Sequence, residues 1–129
     1  MKRPSLVWLL AATAVIEAIT GISLIAIPST DGWLLFHQSL SGAGLAAGRI
    51  AGVALLALGV AGWVGRYAQG RSAVLAAMLT YNTLAALYLA YLAINGELVG
   101  LLLWPAVALH AGLGLLLAHA WLRPRHDGE

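Results

Sequence analysis

Glu17 and Arg49 each lie inside an apolar run long enough to cross a membrane, so they are the first residues to consider for chemistry. An ionised side chain at the bilayer centre costs at least ~3 kcal/mol on insertion scales, and such residues are rare, usually paired or functional. Two readings fit this pair. A carboxylate and a guanidinium at similar depth can form a buried ion pair that fixes helix register. Alternatively, Glu17 binds a proton or a ligand, with an affinity set by desolvation against a neighbouring arginine. The sequence leaves both open.

Other polar residues fall at nearly the same depth. Taking the middle of each apolar run, the first centres near Ile16 and Glu17, the third near Asn82 and Thr83, and the fourth near Leu109 and His110. The second centres near Gly52, which puts Arg49 about 4.5 Å towards one side at the helical rise. Glu17, Arg49, Asn82, His110 and Tyr81, beside Asn82, are therefore the candidates for a proton or ligand site at the midplane. Thr13, Glu17, Thr20 and Gly21 share one helical face at spacings of three and four. His110 reads as a histidine hydrogen-bonded in a polar core, with haem ligation as the alternative. No metal site is expected, because no HExxH or paired-histidine spacing occurs and the chain has no cysteine. No phosphate loop or nucleophile elbow is present, so no catalytic residue is assigned.

The elements that must position these residues are set by composition. Of 129 residues, 61% are hydrophobic and 9% charged, with a mean hydropathy of +0.88; a soluble domain carries about 25% charge. Four apolar runs, at 6–27, 42–63, 72–94 and 98–122, each exceed the ~20 residues a spanning helix needs. They predict one all-α membrane domain over 1–129, an up-down antiparallel bundle of four transmembrane helices. The first run contains Glu17 and ends in Pro28-Ser29-Thr30-Asp31 without a small-residue cleavage pattern, so it reads as a retained helix and not a signal peptide. Residues 33–40, around Trp33-Leu34-Leu35-Phe36-His37, suggest a short interfacial helix with an exposed His37. Trp104-Pro105 predicts a kink in the fourth helix.

Lys2, Arg3, Arg66, Arg71, Arg123 and Arg125 fall on one side of this arrangement, whereas the opposite connections carry Asp31 and Glu97. The positive-inside rule then places both termini in the cytoplasm, with Trp8, Trp63 and Trp121 at the cytoplasmic boundary. A bacterial inner membrane is the expected location. The charge of +2 is a topology signal; no basic face with stacking aromatics points to nucleic acid.

Gly44, Gly48 and Gly52 recur at four-residue intervals, a small-xxx-small ladder suited to close helix packing. With Glu17-Ala18-Ile19-Thr20-Gly21, Gly48-Arg49-Ile50-Ala51-Gly52, Leu55-Leu56-Ala57-Leu58-Gly59 and His110, the layout resembles the DoxX-like group of small four-helix bacterial inner-membrane proteins. That resemblance implies an accessory role near quinone chemistry, so quinone or haem is the cofactor class to test. Ala14 to Gly21 is also similar to the carboxylate-bearing first helix of small multidrug exporters, but that family's following lysine and its Ala-Tyr-Ala-x-x-Trp pattern are missing. The expected function is an accessory or structural subunit of a membrane complex, in contact with lipid and homo-oligomeric or bound to partners. The alternative is a proton-coupled transporter of small solutes or drugs acting through Glu17.

Overall fold

The computed structural model describes residues 4–123, and these are all helical apart from their connections. The helices are α1 (Pro4–Ala26), α2 (Pro28–Phe36), α3 (Gly42–Gly65), α4 (Ala73–Asn95) and α5 (Leu103–Leu122). Four of them, all but α2, are long and apolar enough to cross a membrane. Their outward faces carry Ile19, Ile22, Val53, Val60, Leu84, Leu87, Leu115 and Leu116. So much exposed apolar surface is a liability in water and ordinary against lipid. Lys2, Arg3 and Arg125, which enter the topology argument, lie outside the described residues.

Two helices differ from the sequence expectation by more than two residues. The short helix covers 28–36 and not 33–40, because Pro28 occupies its first turn and its C-cap, His37, turns left-handed at φ 55°. Proline is preorganised for a first turn, where its missing N–H would have had no partner in any case. The last helix begins at Leu103 and not at 98, so Pro105 also falls in a first turn. No preceding helical turn exists for its ring to disrupt, and the expected kink does not arise.

Residues 97–102 have another use. The Gly100 N–H donates to Leu35 O and the Leu102 N–H to Leu34 O, both at 2.9 Å. These are among the last carbonyls of α2, which no intrahelical donor can reach. Any side chain at Gly100 would run into the backbone of Leu34 and Leu35. The α4–α5 connection therefore lies directly against the end of α2. At the other end of α4, Ser72 caps the helix by accepting from Leu75 N at 3.2 Å.

α1 packs along α3, and α4 along α5. The α1–α3 contact is close because glycines remove side chains from it. A methyl group at Gly59 would lie 2.8 Å from both Ala14 O and Ala18 N; one at Gly52 would lie 2.7 Å from Gly21 O and 2.9 Å from Ile25 N. The predicted ladder is thus shifted. Gly52 belongs to the contact and Gly48 packs on Leu40 and Pro28, but Gly44 is exposed and would meet only Leu40, at 3.8 Å. Gly59, Gly62 and, on α1, Gly21 complete the interface. One end of the molecule is closed by a buried cluster of Leu10, Ala14, Leu75, Met78 and Leu117.

Candidate functional site

Thr13 and Glu17 on α1 and Asn82 on α4 are the buried polar side chains of the described interior, each with 0% exposure. α5 presents His110 to them, and α4 presents Tyr81, both half-buried. Four of the five residues proposed from depth alone are thus brought together.

The hydrogen bonds order this group. Asn82 Nδ2 donates to Met78 O at 2.9 Å, and Asn82 Oδ1 lies 2.9 Å from His110 Nδ1. A backbone carbonyl only accepts, which fixes the amide orientation; an amide oxygen also only accepts, so His110 Nδ1 carries the hydrogen. In the neutral ring Nε2 therefore keeps its lone pair. The Tyr81 ring meets the imidazole edge-on with centroids 5.6 Å apart. Thr13 Oγ1 donates back to Leu9 O at 2.8 Å, a local bond that leaves its oxygen lone pairs available.

Glu17 is the exception to this order. Glu17 lies one turn beyond Ala14 and Asn82 one turn beyond Met78, two residues that share the buried cluster, so the carboxyl belongs to the same layer; yet by hydrogen-bond geometry neither Oε1 nor Oε2 has a partner. An ionised carboxyl buried without partners is strongly unfavourable. Uptake of a proton, or arrival of a cation or hydrogen-bond donor, removes most of that cost.

Arg49 does not supply the missing partner. Ala18, next to Glu17, faces Gly59, and Arg49 precedes Gly59 by ten positions on α3, roughly 15 Å along a helix. Its level is that of its neighbour Gly48, which packs on Pro28 at the α1–α2 joint. The Arg49 side chain is exposed. The expected buried ion pair is therefore not formed. The depth estimate failed because it aligned the midpoints of two runs, whereas α3 is staggered past the end of α1.

Of the other α1 positions, Thr20 points outward and bonds Ile16 O at 2.9 Å, so the proposed polar face narrows to Thr13, Glu17 and the small Gly21. Tyr88 is exposed and stacks on Tyr91. His37 is exposed and lies against Trp33. His119 is exposed and accepts from Arg123 Nε at 3.0 Å.

A second carboxyl was not singled out from the sequence. Asp31 on α2 accepts from Ser23 Oγ on α1 through Oδ1, at 2.8 Å, while its Oδ2 is buried without a partner. Helical spacing could not signal this contact, because the chain turns at Ile27 between the two residues. Among the described residues no group of three or more His, Cys, Asp or Glu is placed to hold a metal ion. No family model matches the chain, nor does any curated protein or solved structure.

Proposed function

We propose that the chain is a multi-pass protein of a bacterial inner membrane, an up-down bundle with both termini cytoplasmic, that couples proton binding at Glu17 to movement of a small solute. The observation that carries this reading is a fully buried Glu17 whose two carboxyl oxygens are unpartnered beside the Asn82–His110 pair. A structural ion pair would have been the rival explanation, and Arg49 lies too far along α3 to provide it. On one side the layer adjoins the buried cluster of Leu10, Ala14, Leu75, Met78 and Leu117, one turn away along α1 and α4. That apolar cluster separates Glu17 from the solvent at that end of the bundle, as a controlled proton site requires. Reconstitution into vesicles loaded with a pH-sensitive dye tests the proposal. Wild type should acidify or alkalinise the lumen when a cationic or neutral solute gradient is applied, and Glu17→Gln should abolish the change. Equal fluxes in the two proteins would defeat it.

A second reading is favoured by Arg49. Its guanidinium is exposed on a helix apolar enough to cross a membrane, on the face shared with the small residues Ala46 and Gly52 at helical spacing. An acidic or polar group on a partner helix would satisfy it, as in an accessory subunit of a larger complex, a homo-oligomer or, following the DoxX-like resemblance, a quinone-linked redox assembly. Purification in mild detergent separates the two readings. A partner or quinone that co-purifies with wild type and is lost with Arg49→Ala supports the accessory role; a bare monomer with no bound quinone opposes it.

A further inference from the structure

One end of the molecule gathers three arginines and no carboxylate among the described residues. Arg66 and Arg71 flank the α3–α4 connection and Arg123 follows α5; the described acids are Glu17 in the interior, Asp31 on α2 and Glu97 in the α4–α5 connection. Aromatic groups and backbone carbonyls hold the guanidinium groups in place. Arg66 stands over the Trp63 and Tyr67 rings at 4.1 and 4.4 Å, with NH1 donating to Trp63 O and NH2 to Tyr67 Oη. Arg71 Nε donates to Trp121 O at 3.2 Å with its guanidinium 5.5 Å from the Trp121 ring. Arg71 thus joins the start of α4 to the end of α5, and Trp121 packs on the apolar cluster that closes this end.

With Nε committed, the two terminal nitrogens of Arg71 form a planar fork that matches two oxygens of a phosphate. The exposed indole of Trp63 is a side chain that favours headgroup depth. We infer that this end binds the phosphodiester headgroup of an anionic phospholipid, with Arg71 and Arg66 as the phosphate ligands and Trp63 and Trp121 as their supports. The inference is independent of solute transport and of which way the chain faces.

Electron spin resonance of the full chain in phosphatidylcholine vesicles with a minor fraction of phosphatidylglycerol tests it, using trace spin-labelled lipid of either headgroup. Wild type should retain the phosphatidylglycerol probe in its motionally restricted shell in preference to phosphatidylcholine. Each arginine near a charged lipid surface contributes about fivefold, so Arg66→Gln with Arg71→Gln should lower the preference by on the order of tenfold or more. Arg66→Lys with Arg71→Lys should keep part of it. In unaltered protein, raising salt from low to molar shortens the screening length from ~30 Å to ~3 Å and should weaken the preference without any question of folding. A preference that is unchanged by both salt and the glutamine pair would overturn the inference. So would an equal loss from Arg49→Gln, which would assign the effect to overall charge.

Discussion

Glu17 lacks what a structural carboxylate normally has, a donor for each oxygen. Replacing it with leucine, of similar length and without polar atoms, should therefore stabilise the bundle by about 1–3 kcal/mol, the usual cost of a buried unsatisfied group. Thermal unfolding in mild detergent would show this as a higher midpoint for Glu17→Leu than for wild type. Arg49→Ala should leave the midpoint within about 0.5 kcal/mol of wild type, as exposed positions do; a paired buried arginine would cost ~3–5 kcal/mol. Asn82 should behave oppositely to Glu17. Its removal orphans the His110 N–H and leaves a cavity, so Asn82→Ala should destabilise by about 2–4 kcal/mol. Nitrogen-15 spectra of labelled His110 should report the Nδ1–H tautomer in wild type and a mixture in Asn82→Ala. The types of these residues and their rough depth were legible in the sequence. Their rotation and the stagger of α3 were not, because both depend on which glycines meet which backbone.

At the scale of helices, the α1–α3 interface is set by positions that have no side chain. Gly59→Val would push a branched side chain against Ala14 O and Ala18 N, each 2.8 Å from the added Cβ, and only separation of the two helices can accommodate it. We expect a loss of several kcal/mol, at the upper end of overpacking effects. Gly44→Ala tests the same argument with the opposite sign: it is exposed in α3, makes no close contact, and should stabilise by about 0.5–1 kcal/mol through helix propensity. Comparing the two midpoints checks both. A regular Gly44-Gly48-Gly52 spacing was visible in the sequence, but spacing says only that a face is small. It cannot say whether that face meets a helix or lipid. The prolines show the same limit: Pro28 and Pro105 signal a break, and only the hydrogen bonds around them reveal that each opens a helix instead of bending one.

For the molecule as a whole, four apolar helices were readable because lipid imposes a length and a composition on any segment that crosses it. The sequence contains no cysteine, so single introduced thiols report the orientation without background. Single cysteines at Gln69 and Glu97, in the α3–α4 and α4–α5 connections, should react with a membrane-impermeant maleimide from opposite sides. Glu97→Cys is expected to label in intact spheroplasts and Gln69→Cys only after lysis; the reverse pattern would invert the proposed topology.

The bonds from Gly100 and Leu102 to the carbonyls of Leu35 and Leu34 bear on the order in which the chain assembles. Synthesis proceeds from the N-terminus, so α1, α2 and α3 are all made before residues 97–102 exist. The glycine-mediated association of α1 with α3 needs nothing that comes later and can form early. The end of α2 cannot be completed then, because its donors have not yet been translated, and Leu34 and Leu35 must rely on water until the α4–α5 connection arrives. Closure of that face is therefore a late event in biogenesis. A chain arrested before residue 97 should contain a paired α1 and α3 beneath an α2 frayed at its C-terminal end, whereas in the full chain the donor amides of Gly100 and Leu102 should be protected from hydrogen exchange.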